Sequence, residues 1–387
     1  MSTGEIAPSV PHRLRRPGRL GRAIVAIAVA LIVAVAAFGL YEYESNLPPN
    51  GEATLVVYTY PSLFGGVDCS APAFATVFGA FGASHHVRVE VECPPGTLLS
   101  TLLEEKGSAG ADVVIGLDEL TTPVAEANHL LVPYRPPSLE NVPSALVSEL
   151  SPDYGAAPYE YGYLAIDYNL SFAASTDGAV AHASFSNFTS NATWAKGLLT
   201  ENPEYDITGE EFLAWQIEYY EQVLHENWTT FWTSMPRGAP PLSDSWDEAF
   251  AAFSEGASPM VVSYSTDPAY AAFYGAAGYY NSTVSWWNGT EYGWRTVYGI
   301  GIVNGTRHLA LDEAFENWFL SGTVQSEIPT NEWEYPANTT VPLPGVFADA
   351  IPPGPIVVLN DDTSPAAVGA AIPGWVATWE GLEAGAG

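Results

Sequence analysis

Basic residues are scarce: Lys and Arg together number 12 in 387 residues, against 44 Asp and Glu, for a formal charge of -32. That scarcity excludes nucleic acid as a partner, because phosphate binding needs clustered Lys and Arg. Cysteine occurs twice. No HExxH or CxxC spacing is present, so neither of those metal centres is encoded, and no cofactor or metal is expected. A GxxxxGK[ST] run is also missing, so the chain does not bind ATP through a P-loop. Repeats of short period are absent as well.

The charges are unevenly placed. Arg13, Arg15, Arg16, Arg19 and Arg22 face only Glu5 near the start, leaving 7 of the 12 basic and 43 of the 44 acidic residues from Glu42 onward. A body so acidic suits a cationic ligand, or an acidic or saline habitat. Between the arginines and Glu42 runs AIVAIAVALIVAVAAFGLY, uncharged and close to the roughly 20 residues that cross a bilayer. The flanking arginines place the N-terminus in the cytoplasm and the body outside. Ala34, Val35 and Ala36 also offer the small-residue pattern of a cleaved signal peptide, but the length of the run favours an uncleaved anchor. Export makes a disulfide the expected state of Cys69 and Cys93. Sequons at Asn169, Asn187, Asn191, Asn227, Asn281, Asn288, Asn304 and Asn338 are spread over the body, and their density favours a glycosylated exterior.

Such a length exceeds one compact core, so two lobes are expected. Leu55 to Tyr60, VRVEVE from Val87 and ADVVIGL from Ala111 read as strands, with helical patterns from Ala71 and Thr97 between them. This βαβαβ order implies an α/β fold with a mainly parallel sheet and a cleft beyond the carboxyl ends of its strands. Tyr60 and Asp118 lie at such ends, and Tyr58 is assigned to the core. Aromatic residues make up 13% of the chain, more than packing needs, so some should line a site. The tail from Val341, rich in Pro, Gly and Ala, is expected to be partly irregular.

VVYTYPS, ADVVIGLD, PYEYGYLAIDYN, SDSWDEAFAAFSEG, MVVSYSTDPAY and IPTNEWEYPAN occur in this order between Leu55 and Trp379. With these blocks the chain resembles the periplasmic thiamine-binding proteins of thiamine ABC transporters, within the iron and sulfate type of extracellular solute-binding proteins. The resemblance implies a two-lobed periplasmic-binding-protein fold (type II, Venus-flytrap), here with an N-terminal transmembrane helix. It divides the chain into a cytoplasmic basic segment (1–22), an anchor (23–41), a linker (42–51), one lobe (52–160 plus about 264–335) and a second (161–263, to which part of 336–387 can be added). Hinge strands are implied near PYEYGYLAIDYN and MVVSYSTDPAY.

What the resemblance implies for function is capture of thiamine, without catalysis, by a monomer that delivers it to permease and ATPase subunits. Asp118 matches the family's ligand-binding aspartate, while the competing reading of its position is a helix cap. Tyr60, Trp246, Tyr264, Tyr270 and Trp333 match the aromatic residues that enclose the vitamin. Glu160 and Tyr161 stand in the hinge motif, where Glu160 either meets the cation or locks the hinge. Ser265 is a further orienting candidate. Two departures matter. The family's Trp-Gly pair after the first strand is LFGGVDCSAP here, so Phe64 replaces that ring or one wall is missing. Where the family shows an Arg and a Ser-Thr-Pro-Gly run, this chain has NPEYDITG, whose Glu204 and Asp206 repel phosphate. Three rivals remain: a thiaminase I-like enzyme using Cys69 or Cys93, with Glu160 as base; a binding protein for a polyamine or for ferric ion held by pairs such as Tyr219 with Tyr220, Tyr279 with Tyr280, or His85 with His86; and a surface protein with no small ligand.

Overall fold

The computed structural model describes residues 53–66, 69, 72–350, 356–361 and 363–386. The apolar run 23–41 and the linker 42–51 lie outside them. Among the described residues no helix is long and apolar enough to cross a membrane.

The body begins with the expected alternation: β1 (Thr54–Tyr58), α1 (Pro72–His85), β2 (Arg88–Glu92), α2 (Leu98–Glu104) and β3 (Val113–Leu117). The side chain of Thr97 starts α2 by accepting from the Ser100 amide. β1 pairs in parallel with both β2 and β3, which the two helical crossovers permit. All five residues of β3 are buried, as a strand covered on both faces requires.

The sheet continues through β4 (Ala157–Asn169), β5 (Leu198–Glu201), α3 (Ile207–Glu218), α4 (Trp246–Ser254), β6 (Met260–Tyr264), α5 (Asp267–Phe273), β7 (Arg295–Val303) and α6 (Leu309–Phe319). Its strand order is β2-β1-β3-β7-β4-β6-β5. β7 runs antiparallel to both β3 and β4, and β4 antiparallel to β6. Two separate apolar cores form on this path. The first gathers Leu55, Val113, Tyr159, Val297 and Phe319; the second gathers Leu164, Trp215, Met260, Trp294 and Trp379. β4 enters the second core between Tyr159 and Leu164, and β7 returns between Trp294 and Val297.

Met260, Val262, Val284 and Trp294 pack in the second core, while Ala269 and Tyr270 pack with Trp333 and Tyr335 in a smaller cluster, and β7 carries the chain back to the first core. The C-terminal tail is partly irregular, as expected, but ends in a long helix. Residues Pro365–Ala386 form a helix, α7, whose Val368, Ile372 and Trp379 pack into the second core. Their helical spacing supplies one apolar stripe, which outweighs the Pro and Gly content.

Seven of the eight sequon asparagines are exposed or half-buried. Asn338 is 2% exposed, and its Nδ2, the atom a glycan would occupy, donates to the Leu320 carbonyl at 2.9 Å. It is not an accessible acceptor.

Candidate functional site

Between the two cores opens a cavity of about 860 Å³. The first lobe contributes the loop after β1, the end of β3 and β4; the second contributes the start of α3, α4, the end of β6 and α5. Residues Thr330–Glu334 close one side.

One wall is aromatic. Trp246 neighbours Tyr264 at 6.1 Å and stacks on Phe250 at 5.1 Å; Phe250 meets Tyr270 at 6.2 Å, and Tyr270 meets Trp333 edge-on at 5.3 Å. All five rings line the cavity. Hydrogen bonds fix two of them. The Trp246 indole N–H donates to Ser263 Oγ at 3.0 Å, and the Tyr264 hydroxyl is 2.8 Å from that of Tyr298 and 3.1 Å from Thr208. Trp333 holds its ring in place with a left-handed backbone, φ 61°, a conformation that costs a non-glycine residue roughly 1–2 kcal/mol and persists where the surroundings impose it.

The facing wall is acidic. The single Tyr60 hydroxyl lies within hydrogen-bond distance of three oxygens, Glu160 Oε1 at 3.1 Å, Glu332 Oε2 at 3.0 Å and the Tyr159 hydroxyl at 2.8 Å. Glu332 Oε1 accepts from the Phe64 amide. Gly116 makes room for this group: a Cβ there would stand 2.6 Å from the Tyr60 ring, and its φ of 111° suits only glycine. In all, Glu160, Asp206, Glu210, Asp244, Asp247, Asp267, Glu332 and Glu334 line the cavity, and no Lys, Arg or His among the described residues does. Burial pushes Glu160 up to about 8, against hydrogen bonds from Tyr159 and Tyr60 that pull it down. Glu332 and Glu334 are raised by burial and then by the charge of Glu160. The site is short of positive charge.

Of the residues singled out in the sequence, Tyr60, Glu160, Trp246, Tyr264, Tyr270 and Trp333 meet in this cavity, and Phe64 and Asp206 border it. Three do not line it. Asp118 is fully buried and braces the turn before the helix Thr122–Ala127, whose N-cap is Thr121: Oδ1 accepts from the amides of Leu120 and Thr121 at 3.2 and 2.7 Å. Tyr161 follows Glu160 along β4 and so faces away, stacking on Tyr335 at 5.4 Å. Ser265 likewise follows Tyr264 and is fully buried.

Phe64 does not replace the missing wall, because its ring packs in the first core 5.9 Å from both Phe78 and Phe319. Asp206 has spent both oxygens: Oδ1 caps α3 through the Thr208 amide at 2.9 Å, and Oδ2 takes the Trp246 amide at 3.1 Å. It positions the aromatic wall. Sequence reasoning missed Glu332, Glu334, Phe250 and Tyr298. The alternation EWEY at 332–335 was the one available signal for the two acids.

Cys69 and Cys93 are joined as a disulfide, so neither offers a thiolate. Tyr219 and Tyr220 are buried in the second core, and neither Tyr279 with Tyr280 nor His85 with His86 reaches the cavity.

No family model matches the chain. Among solved structures, a periplasmic thiamin binding protein superposes with a TM-score of 0.70 at 23% identity, over 87% of this chain and 99% of that one. The fold is that of a two-lobed periplasmic binding protein. The same fold is shared by the periplasmic binding protein AfuA from Actinobacillus pleuropneumoniae, with fructose-6-phosphate bound (TM-score 0.69, 15% identity, 85% of this chain and 98% of that one), and by iron-bound HitA from Pseudomonas aeruginosa (0.63, 17%, 87% and 99%). In sequence, the chain is 25% identical over 335 residues to the thiamine-binding periplasmic protein of Escherichia coli K12, covering 86% of this chain and 94% of that one. It is 26% identical to the protein of the same name from Brucella suis, over 79% and 86% of the two chains.

Proposed function

We propose that this protein is an extracytoplasmic solute-binding protein that captures thiamine between its lobes and delivers it to the permease and ATPase subunits of an ABC importer. The observation that carries the reading is the lining: a run of five aromatic rings faces a set of carboxylates with no basic residue among them. Thiamine presents the complementary features, a permanently cationic thiazolium ring and a flat aminopyrimidine. An aromatic face over a desolvated cation contributes up to about 2 kcal/mol, and the carboxylates supply the countercharge. The cavity volume also falls in the range of roughly 300–1,000 Å³ usual for small-molecule sites. Relatives named for thiamine binding along most of the chain support the choice of cargo.

In this reading Tyr60, Glu160, Trp246, Tyr264, Tyr270 and Trp333 touch the ligand, joined by Glu332 and Glu334. Asp206 and Thr208 hold the aromatic side in place. The protein binds without reacting. Residues 23–41 anchor it as a single-pass membrane protein with the body outside, it acts as a monomer, and sequons other than Asn338 are open to glycosylation.

Thermal melting with thiamine, its phosphates, spermidine and ferric citrate tests the proposal. A ligand at a thousandfold excess over its dissociation constant stabilises by about 4 kcal/mol. Thiamine should raise the melting temperature most. A larger response to spermidine, which the many carboxylates would also attract, reassigns the cargo, and no response to any of the panel removes the binding function.

A further inference from the structure

Behind the cleft floor, three carboxylates meet outside the cavity lining. Asp118, Glu119 and Glu211 each place one carboxylate oxygen within 4.8 Å of the others, and all three are 3% exposed or less. Their origins matter. Asp118 and Glu119 stand between Leu117, in the first core, and Leu120, in the second. Glu211 comes from α3, whose Phe212, Leu213 and Trp215 fill the second core. Glu119 is held from both sides of the β7 crossing: its Oε1 accepts from the Trp294 indole at 2.8 Å and its Oε2 from the Val297 amide at 2.9 Å. The three acids therefore occupy the seam between the lobes, beside both crossing strands.

An independent feature points to a missing partner. Both oxygens of Glu211, and Oδ2 of Asp118, are buried without any hydrogen-bond partner among the described residues. Elsewhere Glu201 is also buried with two unpartnered oxygens, but it belongs to no such cluster of three. At the seam three unpartnered oxygens, two of Glu211 and one of Asp118, come together beside Glu119, and among the described residues no base answers them. Arg295, the cation of β7, is engaged by Glu149 and Asp361.

We propose that this seam binds one oxygen-seeking divalent cation of calcium's size, which ties the first lobe to α3 of the second. The donor set is purely carboxylate, which selects hard cations over zinc or copper. Burial selects among them: magnesium demands near-ideal octahedral geometry and usually keeps several waters, whereas calcium accepts carboxylates in a flexible shell at about 2.3–2.6 Å. Thr121, Glu210 and Tyr298, close in sequence to these acids and to Val297, line the cavity, so the cleft is the side from which an ion would enter. Two of the three ligands come from the segment that leaves β3 and the third from a helix of the other lobe, so the ion would fix the hinge whatever cargo the cleft takes.

The test uses the full-length chain, stripped with a chelator, and terbium as the probe. Terbium takes calcium's oxygen sites and emits when excited through a nearby indole, here Trp294. Saturable emission at one ion per chain is expected, displaced by calcium and far less by magnesium. Glu211→Gln keeps the shape of the side chain and removes one charge; it should weaken terbium binding at least tenfold and abolish the calcium-dependent rise in melting temperature, about 5 °C at a hundredfold excess in the parent. Its melting temperature without ions should equal or exceed that of the parent, because like-charge repulsion is relieved. Asp118→Asn serves where that variant fails to fold. Equal terbium affinity in parent and variant overturns the site, as does emission that never saturates. So does a variant that is more stable than the parent while calcium shifts neither, since the acids then hold protons instead.

Discussion

Glu160→Gln probes the polar half of the cleft. In the parent this carboxyl is 2% exposed and pushed up to about 8, first by burial. Its Oε1 accepts from Tyr60, while Oε2 is buried without a partner among the described residues. A cation in the cleft favours the ionised form, so binding expels the proton wherever the group is still protonated. At pH 6, about two pH units below that value, only about one molecule in a hundred is ionised beforehand. Half the molecules are ionised at pH 8, so thiamine affinity should fall about fiftyfold between pH 8 and pH 6, close to 2.3 kcal/mol at about 1.36 kcal/mol per tenfold step. Removing the acid should weaken binding at least tenfold at pH 8 and flatten the pH dependence. Glu332 and Glu334, raised by the same burial, account for the slope that remains. Titration calorimetry in two buffers of different ionisation enthalpy counts the protons released, and the variant should release about one fewer at pH 6.5. Unchanged affinity together with an unchanged proton count would refute the role given to Glu160.

Trp333→Ala should weaken thiamine binding about thirtyfold, the equivalent of one desolvated cation-aromatic contact of roughly 2 kcal/mol; equilibrium dialysis with an unchanged dissociation constant would count against a stacking role. Thiamine monophosphate should bind more weakly than thiamine, because carboxylates and no basic side chain line the cavity among the described residues; equal or tighter affinity in calorimetry rejects this. Without ligand, the protein should melt highest near pH 5 and lower toward pH 8. Glu160 and Glu210 both rise from 4.5 to about 8 on burial, so the folded chain keeps protons that the unfolded chain loses; their contribution is complete below about 4.5 and is lost as pH rises through 8. A melting temperature that climbs steadily from pH 5 to pH 8 contradicts that sign. Replacing both cysteines by Ser opens a link spanning 24 residues and should cost about 3 kcal/mol of stability, read by denaturant unfolding, while thiamine affinity holds.

The first half of the fold was legible because its strands and helices carry opposite periodicities. Tyr58 ends β1 in the first core, whereas Tyr60, beyond the end of the strand, reaches the cleft; strand alternation alone would have put two residues of that spacing on one face. The return crossing was harder to read. MVVSY and RTVYGIGIV are both apolar strands of similar composition, and what distinguishes them is pairing: β6 meets β4 only beyond Leu164, whereas β7 meets β4 on the other side, around Glu160. Such partners are remote in sequence, and neither strand announces which core it fills. The C-terminal helix was obscured for a different reason. Its apolar contacts at Val368, Ile372 and Trp379 are thinly spread among Ala and Gly.

The acids were the least legible part, and the reason lies in what a carboxylate ordinarily does. Asp and Glu are rarely buried unless paired, so in a chain with 44 of them each reads by default as solvated surface. The same scarcity of Lys and Arg that excludes nucleic acid also removes the partners that would make burial of an acid unremarkable. Each buried carboxylate must therefore be answered by a hydrogen-bond donor, a proton or a cation from outside the chain. Asp206 is answered by backbone amides and becomes a support for Trp246; Glu160 and Glu334 each keep one buried oxygen without a partner among the described residues and line the space between the lobes. A cleft that leaves acids half-answered beside a row of aromatic rings is selective for positive charge before any ligand arrives. Closure on a cation then relieves a cost already present in the empty protein, which is why acid pH, by supplying protons instead, should compete directly with the cargo.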